Sequence, residues 1–213
     1  MKRILLGNEA IARGLLENGC SFAASYPGTP ASEILSSFIQ MAGTAESPAM
    51  GEWSVNEKVA LEVATAASFA GLRGLTAMKQ NGLNVASDFL FNLNLSGSRG
   101  GLVVVVCDDP SALSSTNEED SRAYAKMCDL PLLEPSTVQE AKEMTRWAFD
   151  LSEELGLPCL IRSVTRLSHA RGNAELGHLP ENRPTPHFDT SRPIIPQPVM
   201  MTHKALQDRK SVV

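Results

Sequence analysis

Leu102-Val-Val-Val-Val-Cys107 is apolar at every one of its six positions. A strand with one face in water alternates, whereas a strand buried on both faces of a parallel sheet has no polar side to show. This run therefore reads as the central strand of a parallel sheet. Further strands are expected on either side of it at residues 21–25, 74–79 and 158–164, with a weaker one at 4–6. Helical periods fall between them at 8–18, 30–41, 55–70, 83–95, 117–127 and 138–155. Alternation of this kind predicts an α/β fold, an open, mostly parallel sheet with helices on both faces.

Local punctuation supports these boundaries. Gly19 follows the first helical period, Thr29-Pro30 reads as N-cap and first turn of the second, and Gly156 with Pro158 closes the last. Ser54-Val-Asn-Glu57, Thr116-Asn-Glu-Glu119 and Thr137-Val-Gln-Glu140 each match the capping box. From about residue 171 the character changes: Pro180, Pro184, Pro186, Pro193, Pro196 and Pro198 come with little periodicity. The expected division is a domain over 1–170 and a proline-rich extended arm or linker over 171–213, lying over a partner or leading toward one.

A chain of 213 residues with 43% hydrophobic content is large enough for one self-sufficient core. Its net charge of -5 and pI near 5.4 argue against a nucleic-acid surface. No apolar stretch approaches the ~18 residues that span a bilayer, and no secretory leader opens the sequence, so a cytoplasmic location is expected. Cys20, Cys107, Cys128 and Cys159 are dispersed without C-x-x-C spacing and read as buried free thiols. Dinucleotide, triphosphate, zincin and α/β-hydrolase signatures are all missing. The four histidines, His169, His178, His187 and His203, fall at or after the last predicted strand, away from any site inside the sheet.

Four segments cluster near the predicted carboxyl ends of strands, where open α/β sheets collect ligands. They are Tyr26-Pro-Gly-Thr-Pro30, the helix bearing Glu57, Lys79-Gln-Asn-Gly82, and Cys107-Asp-Asp-Pro110 with the polar loop that follows. Glu57 is the unusual member. At 3.6 residues per turn it stacks with Ala60, Leu61, Ala64 and Ser68, while Lys58, Glu62 and Thr65 share the polar side. An acid on a packing stripe costs free energy unless something pairs with it. A capping role through Ser54 and a role toward a ligand both remain open on this pattern.

Tyr26-Pro-Gly-Thr-Pro30 and Glu52-Trp-Ser-Val-Asn-Glu-Lys-Val-Ala60 together resemble the pyrimidine-binding domain of thiamine-diphosphate-dependent 2-oxoacid:ferredoxin oxidoreductases, most of all the indolepyruvate:ferredoxin oxidoreductase alpha subunit. Leu5-Leu-Gly-Asn-Glu-Ala-Ile-Ala-Arg-Gly14 and the segment from Val106 through Arg122 fit as well, so the resemblance covers about residues 3–170, with Arg192-Pro-Ile-Ile-Pro196 similar to the connection that follows. It implies that Glu57 is the glutamate that hydrogen-bonds N1′ of the aminopyrimidine and that Thr29 faces the substrate side of the thiazolium. Pro27, Gly28, Gln80 and Asn81 are implied to bind the cofactor with Glu57, and no metal ligand is assigned to this chain.

The same resemblance implies an enzyme that works only in a complex, a homo- or hetero-oligomer. A partner domain or subunit would bind the diphosphate and Mg2+, and iron-sulfur clusters would sit on partner chains. A 2-oxoacid, coenzyme A and ferredoxin would be the reactants. The Gly-Asp-Gly motif and cysteine-rich segments of such subunits are not in this sequence. Neither is an arginine at the end of the Leu102 strand, where some pyruvate enzymes hold the substrate carboxylate; Asp108 and Asp109 stand there. Two alternatives follow: a subunit of a nonoxidative decarboxylase resembling sulfopyruvate decarboxylase, or a non-catalytic scaffold.

Overall fold

The computed structural model describes residues 1–45 and 47–191. In chain order the elements are β1 (Lys2–Leu6), α1 (Gly7–Glu17), β2 (Cys20–Ser25), α2 (Ser32–Thr44), β3 (Met50–Trp53), α3 (Glu57–Phe69), β4 (Arg73–Lys79) and α4 (Gln80–Ser96). They continue as β5 (Leu102–Asp108), α5 (Arg122–Met127), β6 (Leu132–Leu133), α6 (Val138–Leu155), β7 (Cys159–Val164), α7 (Thr165–Ser168) and β8 (Arg171–Glu175). Six strands form one sheet in the order β3-β2-β4-β5-β7-β6, and every pairing in it is parallel.

β5 lies inside this sheet and is buried throughout, as its unbroken apolar run requires. Its odd and even residues serve different layers. Val103, Val105 and Cys107 pack with α1, α2 and α6, through Ile11, Leu15, Phe38 and Phe149 among others. Leu102, Val104 and Val106 pack with α3, α4 and α5, through Leu61, Leu83, Leu90 and Ala125. Period-two alternation of side chains thus builds two cores on one strand, and the helices cover both faces. All four cysteines are buried and free. Among the described residues no helix is long and apolar enough to cross a membrane.

Several boundaries move for identifiable reasons. The strand expected at 4–6 stays out of the main sheet, because β1 pairs antiparallel with β8 in a separate ribbon. Residues 171–175, expected in an extended arm, therefore form an element of their own. The chain after β8 turns back on the domain: Gly177 N donates to Glu17 Oε1 at 2.7 Å, and His187 N to Ala70 O at 2.8 Å. Arg192-Pro-Ile-Ile-Pro196 lies outside the described residues. β3 and β6 went unpredicted because they are short and carry little β-branched signal.

Thr29 does not cap α2, which begins at Ser32 with Ala31 before it. Residues 28–31 instead make a turn, with Ala31 N bonded to Gly28 O at 2.7 Å and Gly28 N to Ser32 Oγ at 2.8 Å. The box expected at Thr116 is also unformed, since α5 starts only at Arg122. Thr137 does cap α6, accepting from Glu140 N at 3.1 Å, while the Glu140 carboxylate bonds Ser136 rather than closing the box on Thr137.

Candidate active site

β2 has β3 on one side and β4 on the other. The chain leaves β2 through α2 in one layer and returns to β4 through α3 in the opposite layer. A reversal of this kind opens a crevice between the carboxyl ends of the two strands, the place where doubly wound sheets bind ligands. Residues 26–30 line one side of this crevice, and Lys79 with the first turn of α4 lines the other. The amino end of α3 and the 110–121 loop stand beside it.

Glu57 is the first residue of α3, and only 9% of it is exposed. The capping box with Ser54 does not form. Asn56, in extended conformation, takes the N-cap and accepts from Val59 N at 2.9 Å. Ser54 still belongs to the strand side, where its N–H bonds Ser25 O at 2.8 Å, so it is two residues early for a cap. Glu57 is thereby released from capping. Its carboxylate makes no hydrogen bond or ion pair among the described residues. The expected packing stripe of Ala60, Leu61, Ala64 and Ser68 is buried with it, and Thr65 is buried too, its hydroxyl satisfied by Leu61 O at 2.7 Å.

The opposing surface is shaped to this carboxylate. A Cβ placed on Gly82 would lie 2.5 Å from Glu57 Cγ and 2.6 Å from Oε1, so the glycine leaves the space that the acid occupies. From sequence, Asn81-Gly82 reads as a turn; both belong instead to the first turn of α4, which starts at Gln80 directly after β4. A glycine within a helix costs about 1 kcal/mol relative to alanine. That cost is the sequence signal that could have exposed its role.

On the other side of the crevice, Gly28 is covered by the stem of Lys79: a Cβ there would meet Lys79 Cδ at 3.0 Å and Cγ at 3.2 Å. The Lys79 ammonium reaches Ser114 O at 3.4 Å. Pro27 and Thr29 are exposed, and the Thr29 hydroxyl has no hydrogen-bond partner among the described residues. The Thr29-Pro30 peptide is cis. No hydrogen bond connects Thr29 with Glu57, although both belong to the same end of the sheet.

Gln80 is 1% exposed; its Nε2 donates to Asn117 O at 3.3 Å, and its Oε1 is buried with no partner. Asn81 Nδ2 donates to Asn117 Oδ1, and Asn81 Oδ1 is likewise buried and unpartnered. Asn84, one turn on, donates to Glu119 Oε1 at 2.6 Å and accepts from the Tyr124 hydroxyl. These bonds account for the unformed helix at 117–121, because Asn117 and Glu119 are engaged in holding the loop on α4.

The two acids at the end of β5 face inward. Asp108 Oδ2 receives Arg162 Nε at 2.6 Å and both the N–H and the hydroxyl of Ser121 at 3.1 Å. Burial pushes its carboxyl above the usual range, against the opposing pull of Ser121 and Arg162. Asp109 is also buried, which alone would raise it. Hydrogen bonds from Thr165, Ser114 and Ser115 overcome that and hold it down at about 2. Its role is to pin the loop, where Ser111 and Ala112 adopt left-handed backbone with φ of 65° and 48°. Arg162, an arginine inside the largely apolar run of β7, carries no sequence signal of its role. Its burial beside β5 is understandable only through the Asp108 and Glu134 pairs.

Comparisons with known proteins bear on the family and the fold. The family model for the pyruvate flavodoxin/ferredoxin oxidoreductase, thiamine diphosphate-binding domain matches residues 13–206. The indolepyruvate oxidoreductase subunit IorA of Pyrococcus horikoshii is 52% identical over 180 residues, which cover 84% of this chain and 28% of that protein. Its counterpart in Archaeoglobus fulgidus is 53% identical over 182 residues, again 84% of this chain and 29% of that protein. The chain thus spans less than a third of the length of these relatives. A 2-oxoglutarate:ferredoxin oxidoreductase from Magnetococcus marinus, solved with 2-oxoglutarate, coenzyme A and succinyl-CoA, superposes with a TM-score of 0.73. At 21% identity, with 83% of this chain and 32% of that one covered, it is similar in fold.

Proposed function

Since the chain belongs to the pyruvate flavodoxin/ferredoxin oxidoreductase thiamine diphosphate-binding family, we propose that it provides the pyrimidine half of a thiamine diphosphate site in a 2-oxoacid:ferredoxin oxidoreductase. The observation that carries this reading is Glu57, a buried carboxylate with no partner of its own among the described residues, seated at a helix start in a space that Gly82 leaves for it. What exposure the residue keeps leaves its carboxylate open to the crevice, and an acid drawn further out of water there needs a partner. A heteroaromatic ring nitrogen that accepts or shares its proton is such a partner, so the residues present fit an aminopyrimidine.

When bound, thiamine diphosphate supplies the electron sink that decarboxylation of a 2-oxoacid requires. The chain's own residues position and tune. Glu57 holds a proton at N1′ of the aminopyrimidine, in a site where burial strengthens the bond. Pro27, Gly28 and Thr29 form the turn that walls the ring's other side, and Thr29 offers a free hydroxyl toward substrate. Gln80 and Asn81, tied to Asn117 by their side-chain N–H groups, wall the cofactor side of the crevice. The unpaired state of Glu57 also weighs against a scaffold that has lost its chemistry, because a cap alone is already provided by Asn56.

In this reading residues 1–170 are the pyrimidine-binding domain and 171–213 the connection that follows it. Diphosphate, Mg2+ and iron-sulfur clusters are held by other domains or chains of the assembly. The substrate class is an aryl pyruvate such as indolepyruvate, with coenzyme A and ferredoxin as co-reactants, and the place of action is the cytoplasm. The test is calorimetric titration of thiamine diphosphate with Mg2+ into the chain assembled with its diphosphate-binding partner. Saturable uptake by wild type and a matching 2-oxoacid-dependent reduction of ferredoxin are expected. An assembled complex that takes up no cofactor would refute the proposal.

A further inference from the structure

A 2-oxoacid brings a carboxylate into the crevice, and a carboxylate leaving water needs a cation or several N–H donors. The end of β5 offers none, because Asp108 and Asp109 occupy it and are themselves bound internally. Three other cations of this region are already matched. Arg162 is held by Asp108 and Glu134, Arg122 by Asp120, and Lys58 by Asp88.

Lys79 is different. It ends β4 at the floor of the crevice and is half-buried, and no carboxylate lies within ion-pair distance of it among the described residues. Its one hydrogen bond, to Ser114 O at 3.4 Å, is at the long limit for such a contact. Gly28 lets the lysine stem cross the crevice at van der Waals distance, so the ammonium is delivered between the 26–30 turn, with the Thr29 hydroxyl, and the 110–121 loop. The loop end of this path is itself fixed, since Asp109 binds Ser114 through both its N–H and its hydroxyl. The amide end of α4 begins at the next residue and has no acid of its own in its first turn, where the Glu57 carboxylate packs on Gly82.

Resting on the functional reading above, we propose that Lys79 binds the carboxylate of the 2-oxoacid and so discriminates acids from uncharged carbonyl compounds. A lysine suits this placement because its ammonium is a point charge on a flexible stem. It can exchange the weak Ser114 carbonyl for a stronger anionic acceptor without the fixed fork geometry an arginine demands.

The experiment uses the assembled enzyme that contains this chain. Lys79→Met is expected to raise KM for the 2-oxoacid roughly tenfold or more, with the larger part of the loss in KM rather than kcat and with thiamine diphosphate affinity unchanged. The acid's advantage in binding over its methyl ester, which has no CO2 to lose and serves only as a competitor, is expected to collapse, while Lys79→Arg keeps part of it. A measurement on wild type alone gives a second arm: acylation of Lys79 by a small activated ester, followed by mass spectrometry, is slowed by the 2-oxoacid. Normal cofactor uptake together with an unchanged KM in Lys79→Met, or no protection of Lys79 by substrate, overturns the assignment. Absence of cofactor uptake by wild type overturns the functional reading beneath it, so the two failures are distinguishable.

Discussion

At the amino ends of β2 and β3 lies a cavity of about 670 Å3, lined by Phe22, Pro48, Met50, Val63, Leu72 and the chain at 181–186. At the carboxyl ends of β2 and β4 the crevice is less obvious by volume, yet it gathers Glu57, the Oε1 of Gln80, the Oδ1 of Asn81 and the unpaired Lys79. The amino-end cavity is roofed by the protein's own return segment. Arg183 there donates to Cys20 O, Leu16 O and Ser47 Oγ, and only its Nε lacks a partner. Burial drives the Cys20 thiol up to about 12, so it stays protonated at neutral pH. Volume marks where side chains fail to fill space, whereas unpartnered buried polar groups mark where the fold waits for something to complete it. The two criteria favour opposite ends of this sheet, with Arg183 Nε the exception at the amino end.

Four changes set the two ends against each other. The largest effect belongs to Glu57→Gln, which keeps the shape of the side chain and removes its acidity. Turnover of the assembled enzyme is expected to fall by roughly 10²–10⁴ while the melting temperature stays near wild type. Equal turnover in wild type and variant would end the distinction drawn between the two ends. At the amino end, Arg183→Ala strips buried carbonyls of their donor and is expected to destabilise by about 1–3 kcal/mol in denaturant titration, with turnover per folded enzyme unaffected. A loss of turnover there would mean that the cavity takes part in catalysis.

Gly82→Ala sharpens the comparison from inside the carboxyl end. Its Cβ displaces the Glu57 side chain, so turnover is expected to drop by about tenfold or more, in keeping with the cost of small misplacements. Helix propensity meanwhile holds stability level or raises it by up to about 1 kcal/mol. The smallest effect concerns acid. Asp109 is held at about 2 in the fold, below its ordinary 3.8, so its contribution to stability is complete above about pH 4. It is lost as pH falls through about 2. Unfolding curves of wild type and Asp109→Asn between pH 5 and 2 are expected to converge as pH drops, and a constant gap would contradict the hydrogen-bonded assignment.

Much of the layer structure was legible from residues. The run at 102–107 announced a strand buried on both faces, and the 138–155 period ended where expected because Thr137 caps it and Gly156 takes the left-handed turn at φ 65°. The acid stripe on α3 was also readable, since period alone puts Glu57 beside Ala60, Leu61 and Ala64. What failed were choices between equally good local signals. The capping box put the N-cap at Ser54, but Ser54 pairs with Ser25 and the cap falls to Asn56. Asn81-Gly82 suits a turn, yet α4 begins at Gln80 without interruption because packing against α3 overrides turn propensity.

Sequence by itself determined the alternation of strands and helices, the two-faced burial of β5 and the candidate acid at position 57, since each follows from side-chain period and the cost of exposing apolar surface. Only the tertiary structure decided that Asn56 rather than Ser54 caps α3, that Asp108 and Asp109 turn inward, and that Lys79 is left without an acid. Those outcomes depend on which groups from distant elements arrive within hydrogen-bond distance of one another. Pairing across 54 positions, as between Arg162 and Asp108, leaves no local signature in the chain.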